Sequence, residues 1–231
     1  MGLRVERGGK VLLRDVAIAA REGEVIGVLG PSGAGKSTLF RALTGEIVPD
    51  AGAVLLDGDD VTKAPLWERA RRGLGYVPQT PSVLWDLTVR ENLATFHRVV
   101  HGDPGDLRAA AGRVQLDARL DVRAGELSAG ERRRLELARS LTRTPRVLVC
   151  DEPFAGVDPV GAARLGELLR DLAGSHGAAV LLADHHVAEA LRICTRAVLL
   201  LDGAIAAEGE PDAFQEHPLV RGRYLGTLGV R

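Results

Sequence analysis

The stretch Gly30-Pro31-Ser32-Gly33-Ala34-Gly35-Lys36-Ser37-Thr38 decides how the rest of this chain is read. It has the form G-x-x-x-x-G-K-[ST], a phosphate-cradling loop. Val25–Leu29 before it is a short apolar run suited to a buried strand. The residues from Thr38 to Thr44 after it suit a helix. Glycines let the backbone curl so that successive N–H groups converge on an anion, and the new helix adds the positive end of its dipole. Lys36 then reaches the β- and γ-phosphates, and Ser37 is placed to ligate Mg²⁺.

The bulk properties narrow the partners. The chain has 231 residues, 45% of them hydrophobic, with a net charge of −1 and only 3% aromatics. That size and apolar content suffice for a full core. A net charge near zero and scarce aromatics argue against a nucleic-acid surface, and no nucleic-acid partner is expected. Lysine occurs only at positions 10, 36 and 63 in an arginine-rich chain; genome base composition explains that bias best, and a retained Lys36 is weakly consistent with a specific role. Cys150 and Cys194 have no metal-ligand spacing and read as core residues in a reducing compartment. Met1–Lys10 has no apolar segment of a leader, and no apolar run is long enough to span a bilayer. We therefore expect no direct membrane insertion.

Taken in order, Leu3–Val5 and Val16–Ala20 predict strands around a turn at Arg7-Gly8-Gly9. Further strands are predicted at Val25–Leu29, Ala53–Leu56 and Leu74–Val77, with a basic helix at Leu66–Arg72. From Pro81 the pattern turns helical. Thr88-x-x-Glu91 is a capping box opening a helix to about Val100, and Gly102-Asp103-Pro104-Gly105 breaks it. Leu107–Leu116 has helical spacing. Ser128-x-x-Glu131 is a second capping box, opening a helix to about Thr142. After Pro145 strands are predicted at Val147–Cys150, Val180–Ala183, Ala197–Leu201 and Ala204–Ala207. Helices are predicted at Val160–Leu172, Val187–Ile193, Asp212–Glu216 and Leu219–Tyr224.

Val147-Leu148-Val149-Cys150 runs into Asp151-Glu152. A strand-end carboxylate after a phosphate loop suits Mg²⁺, assigned to Asp151, and Glu152 is placed to orient or deprotonate water. Leu127-Ser128-Ala129-Gly130-Glu131 is a helix start with a hydroxyl and free N–H groups, again an anion site. With these motifs together, the chain resembles the ATP-binding-cassette (ABC) ATPases, whose signature usually reads L-S-G-G-[QE]. Here Ala129 replaces a glycine. That costs little if the residue is helical, as expected, and about 1–2 kcal/mol if it needs positive φ.

The resemblance covers essentially the whole chain and implies an α/β fold of the P-loop NTPase, ABC ATPase type. In it a RecA-like core with an antiparallel β subdomain (1–80 and 146–231) carries an inserted helical subdomain (81–145), forming one domain over 1–231. It implies that Gln79 senses Mg²⁺ and the attacking water, that Asp158 lies on a loop crossing a homodimer, and that His185 contacts the γ-phosphate. His186 competes with His185, since adjacent strand residues face opposite ways. The adenine-stacking aromatic of the family is missing; Arg7 holds its place by alignment on Asp15-Val16, and its guanidinium plane is expected to substitute. Each ATP would lie between the phosphate loop of one copy and Ser128 of the other. The cofactors implied are ATP and Mg²⁺.

Three stretches, 70–79, 130–139 and 151–159, resemble the ATPase subunits of lipopolysaccharide export transporters. That resemblance implies a cytoplasmic homodimer, peripheral on the inner membrane, that hydrolyses ATP to power lipopolysaccharide extraction. It would work through two transmembrane subunits seated in a groove on the helical part. Leu84, Trp85, Leu87 and Phe96 are candidate groove residues, with burial in the core the competing reading for Trp85 and Phe96. The alternatives are the ATPase of a branched-chain amino acid importer and a non-transport ABC ATPase. The latter would carry a long coiled coil or a second cassette, and neither is visible here.

Overall fold

The computed structural model describes residues 2–103 and 105–227. Pro104, part of the expected helix break, lies outside the described residues. The elements are β1 (Leu3–Arg7), β2 (Lys10–Val16), β3 (Val25–Leu29), α1 (Lys36–Thr44), β4 (Leu55–Leu56), β5 (Asp59–Asp60), α2 (Leu66–Arg71) and β6 (Leu74–Val77). Then come α3 (Val89–His101), α4 (Leu107–Arg113), α5 (Ala129–Ser140), β7 (Val147–Asp151), α6 (Pro159–His176), β8 (Ala179–Ala183), α7 (Val187–Ile193), β9 (Arg196–Leu201), β10 (Ala204–Gly209), α8 (Pro211–Glu216) and α9 (Pro218–Arg223).

Six strands form the main sheet in the order β10-β9-β3-β8-β7-β6, parallel except for β10. Its strands are apolar on both faces because both faces are covered. Side chains alternate across the sheet with period two. Ile26, Val28, Val149, Leu181, Val198 and Leu200 join α1 and the β1–β2 hairpin in one core. Val25, Leu29, Leu148, Cys150, Val180, Leu182 and Leu199 join α6, α7 and the α3–α5 helices in the other. Cys150 and Cys194 are both buried there, as expected. The segment from Pro78 to Arg146 leaves β6 and returns in its sheet neighbour β7, so α3, α4 and α5 form an excursion between adjacent strands.

Both capping boxes are present. Thr88 and Glu91 cap α3 reciprocally, and Ser128 and Glu131 cap α5. Three expectations need correction. The second strand is Lys10–Val16, not Val16–Ala20. Gly8 and Gly9 both take positive φ, so the partner strand starts at once, pairing Arg7 with Lys10 and Leu3 with Val16. Only Leu55–Leu56 of the 53–56 strand pairs, because Val54 gives its N–H to the Thr62 hydroxyl. Helix α4 stops at Arg113; Gln115 at φ 57° turns the chain so that Val114 and Leu116 are buried without helix.

Arg69 is wholly buried and ties three segments together. It donates to the carbonyls of Ala64 (2.8 Å), Ala42 (2.7 Å), Leu43 (2.6 Å) and Thr62 (2.9 Å). The C-terminal end of α1 is thereby fixed to α2 and the loop before it. Arg69→Met should leave several buried carbonyls unpaired and cost about 3 kcal/mol. For a domain of this size that lowers Tm by roughly 6–12 °C. Thermal unfolding measures it; an unchanged midpoint would mean that Arg69 contributes nothing to the junction.

Candidate functional site

The phosphate loop leaves the end of β3 at Gly30 and runs into α1. Gly30 has φ 155°, and a β-carbon there would lie 2.3 Å from the Leu200 carbonyl oxygen, so only glycine fits. Gly35 precedes α1 at φ 109° and has no side chain to cap it, and the first turn of α1 carries no acidic residue. The first-turn amides therefore meet no side-chain acceptor and no negative charge, which suits an anion. Ala34 is buried, Pro31, Gly35 and Thr38 are half-buried, and Ser32, Gly33 and Ser37 are exposed. Lys36 is 7% exposed. Its Nζ donates to the carbonyls of Gly30 (2.5 Å) and Pro31 (3.0 Å), folding the side chain back over the loop. Burial pushes the ammonium's pKa down, while the charges of Glu152 and Asp151 oppose that shift.

Those carboxylates stand at the end of β7. Asp151 is 6% exposed, and burial followed by the Glu152 charge raises its pKa to about 6, against the pull of Lys36. Glu152 sits at φ 50°, in the left-handed region, which costs a non-glycine residue about 1–2 kcal/mol. Backbone bonds hold it there: its N–H donates to Ala183 (2.7 Å) and its carbonyl accepts from Ala155 (3.2 Å). The side chain turns to His185, whose Nε2 lies 3.0 Å from Glu152 Oε1. His186 instead places Nδ1 2.7 Å from Asp184 Oδ1. The expectation from strand alternation needs amending, because β8 ends at Ala183 and both histidines follow it. The turn after the strand, held by Asp184, separates them.

Asp184 is a residue that the sequence reading missed. It is 1% exposed and accepts from the N–H groups of Phe154 (2.8 Å) and His186 (2.8 Å), bridging the loops after β7 and β8. Arg133 and Glu136 were missed as well. Both are buried on α5, 2.8 Å apart. Arg133 donates to the carbonyls of Pro78 (2.6 Å), Gln79 (2.5 Å) and Glu152 (3.4 Å), and Glu136 accepts from the Ser82 hydroxyl (3.1 Å) and the Ser82 N–H. Gln79 itself is exposed, with its backbone held by Arg133. The signal available was an Arg-x-x-Glu spacing, which on a helix usually marks a solvated face.

The structure thus brings Lys36, Asp151, Glu152 and His185 together, with Gln79 joined through Arg133. A second group forms at the start of α5. Ser128 Oγ accepts from the Glu131 N–H (3.2 Å), and Glu131 accepts from the Ser128 N–H (2.9 Å) and from Arg119 Nε (3.0 Å). The exposed Ser128 hydroxyl keeps its own proton free to donate outward. Ala129 is the first residue of α5, so its methyl group is compatible with the backbone, as expected. Gly130 lies against Val157, with Asp158 Oδ2 4.0 Å from where its β-carbon would be. Asp158 caps α6, accepting from Val160 (3.1 Å) and Gly161 (3.0 Å). Arg7 belongs to neither group. The edge of its guanidinium is taken by Glu6 O (2.6 Å), Asp50 (3.0 Å) and Val48 O (2.9 Å), leaving the planar faces for any stacking partner.

Leu84 and Trp85 are exposed, which overturns the core reading for Trp85; Leu87 and Phe96 are half-buried. Asn92, fully buried on α3, staples their loop: its amide takes the Leu84 N–H (2.9 Å) and donates to Leu84 O (3.0 Å) and Thr88 O (3.0 Å). Arg132 lies 5.2 Å from the Trp85 ring centroid and Arg139 3.7 Å from that of Phe96. Among the described residues no helix is long and apolar enough to cross a membrane.

Comparison with known proteins fits this geometry. Residues 13–155 match the family described as ABC transporter. The lipopolysaccharide export system ATP-binding protein LptB of Acidithiobacillus ferridurans is 41% identical over 221 residues, covering 94% of this chain and 91% of that protein. A probable ABC transporter ATP-binding protein of Azorhizobium caulinodans is 41% identical over 234 residues, covering 97% of this chain and 81% of that protein. The crystal structure of a nucleotide-free ATP-binding cassette from an ABC transporter superposes with a TM-score of 0.87 at 28% identity, covering 97% of both chains. A family match over most of the chain and relatives identical at 41% of positions across more than nine-tenths of it put this chain in the ABC transporter family, as an ATP-hydrolysing subunit.

Proposed function

We propose that two copies of this chain power the extraction of lipopolysaccharide from the inner membrane, acting on the cytoplasmic face through two transmembrane subunits of the LptF/LptG type. The observation that carries the chemistry is the contact of His185 Nε2 with Glu152 Oε1 at 3.0 Å, next to a buried lysine on the phosphate loop. The likeness to a lipopolysaccharide export ATPase over 94% of the chain supports the cargo. The importer reading rests on no comparable observation here.

In this mechanism the amides of residues 30–38 hold the triphosphate. Lys36 exchanges the Gly30 and Pro31 carbonyls for phosphate oxygens, which costs little because it trades one set of oxygen acceptors for another. Asp151, Ser37 and Gln79 supply hard oxygen donors suited to Mg²⁺, and the crowding of Asp151 by Glu152 leaves negative charge that a divalent cation relieves. When bound, Mg²⁺ neutralises charge on the phosphates. Glu152 orients the attacking water and accepts its proton. His185 donates from Nε2 either to Glu152 or to the γ-phosphate, so it links the carboxylate to the state of the nucleotide. Ser128, Ala129, Gly130 and Glu131 of the other copy close over the γ-phosphate, with the capped hydroxyl as donor. Asp158 sits beside that helix start, on the segment that passes between the copies. Arg7 offers a guanidinium face to adenine. ATP-driven closure moves α3–α5 and with them the exposed Leu84–Trp85 loop, on which the membrane subunits are seated.

Glu152→Gln should keep ATP binding and cut turnover by about 10²-fold or more, trapping a closed dimer. Wild-type turnover in that variant would move the water-activating role elsewhere. Lys36→Ala should fail at nucleotide binding, whereas His185→Ala should slow hydrolysis more than binding. An intact rate after His185→Ala would shift attention to His186. Trp85→Ala should weaken co-purification with the membrane subunits while leaving nucleotide affinity alone; equal loss of both would indicate a folding defect. The cargo is tested by identifying the membrane proteins that co-purify with the tagged chain. Partners that bind lipopolysaccharide support the proposal, and partners of an amino acid importer overturn it.

A further inference from the structure

Glu152 and His185 stand on two different loops, after β7 and after β8. The ladder between those strands ends where Asp151 pairs with Ala183, and the Glu152 N–H adds one more bond to the Ala183 carbonyl at 2.7 Å. Beyond that point the link passes to a side chain. Asp184 is 1% exposed, and its Oδ2 accepts the N–H of Phe154 at 2.8 Å. Its Oδ1 accepts the His186 N–H at 2.8 Å and lies 2.7 Å from His186 Nδ1. Glu152 therefore lies between two bonds to the neighbouring loop, its own to Ala183 and that of Phe154 to Asp184. His185 is the single residue spanned by the turn that Asp184 closes onto the His186 N–H. The His185 side chain is 54% exposed, so its place is set mainly by the backbone that carries it.

We infer that Asp184 is a positioning residue for hydrolysis: by holding the Phe154 and His186 amides it sets the distance between Glu152 Oε1 and His185 Nε2, 3.0 Å in this structure. A carboxylate suits the task because both its oxygens accept, so one side chain satisfies N–H groups on two loops at once. An amide has one acceptor oxygen, and its NH2 group would face one of those N–H donors. One loop would then lose its anchor. A misplacement of about 1 Å at a reacting group can cost 10²-fold in rate. The loss falls on the chemical step, because none of the three bonds reaches residues 30–38, where the triphosphate is held. It therefore lowers kcat and leaves nucleotide affinity alone.

This inference rests on reading Glu152 and His185 as the hydrolytic pair, and the test separates the two. The full chain is prepared with Asp184→Asn, with His185→Ala and with both. Asp184→Ser, whose single hydroxyl can serve only one of the two amides, gives the same readout if Asp184→Asn does not fold. Leu169→Ala, at a buried core position on α6, shows what lost stability does by itself. Measured for each are kcat, Tm and the Kd of a fluorescent ATP analogue. Asp184→Asn should lower kcat about tenfold or more with Kd at the parental value. The double variant should lie within about threefold of His185→Ala, because without His185 there is no contact left to set. Leu169→Ala should lower Tm and keep kcat. A parental kcat for Asp184→Asn, a loss in Kd instead of kcat, or losses that multiply in the double variant overturn the inference. So does a fall in kcat for Leu169→Ala equal to that for Asp184→Asn. If His185→Ala turns over ATP at the parental rate, the reading of the pair has failed and this inference with it. If His185→Ala is slow and Asp184→Asn is not, only the role of Asp184 is wrong.

Discussion

The burial of one ammonium group among backbone carbonyls and two carboxylates is the constraint from which this site follows. A 7% exposed lysine needs hydrogen-bond partners and opposite charge. Lys36 finds the first in Gly30 and Pro31 and the second in Asp151 and Glu152. For that to occur, β3 and β7 must end at the same level of the sheet, and each must deliver its loop on the same side. Parallel strands with β8 between them provide this arrangement. The site lies where open α/β sheets generally bind ligands, at the carboxyl ends of the strands.

Around the lysine, the other groups are held by backbone bonds from far along the chain. Arg133 reaches from α5 to Pro78, Gln79 and Glu152, so the helix capped by Ser128 is hydrogen-bonded to the loop after β6 and to the strained residue after β7. Asp184 ties the β7 and β8 loops in the same way. These contacts join the helical excursion to the loop that carries Glu152. A rigid link of that kind is what a device needs if nucleotide state at one end is to be felt at the Leu84–Trp85 surface at the other.

Much of this was legible in the sequence. Strands buried on both faces are near-continuous apolar runs, so β3, β6, β7, β8 and β9 could be read directly. Both capping boxes, the phosphate loop, the paired carboxylates and the order of elements were equally plain, because each depends on local spacing. The hairpin register was misread. The apolar residues Val11, Leu12 and Leu13 and the run after Val16 compete as strands, and only the two-glycine turn decides between them. Arg69, Arg133 and Asp184 were not legible, because what justifies burying a charge is a set of partners distant in sequence. Trp85 was ambiguous for the opposite reason: tryptophan suits a core and an interface equally, and pattern alone does not choose.

The central claim is that a triphosphate takes Lys36 from its carbonyls and that a second copy completes the site. A structure of the Glu152→Gln chain loaded with ATP tests it most directly. The account predicts Lys36 Nζ on phosphate oxygens, released from Gly30 and Pro31, and the hydroxyl of Ser128 from the opposing copy directed at the γ-phosphate. Lys36 still bonded to its own loop beside bound nucleotide, or Ser128 turned to solvent in that state, would contradict it.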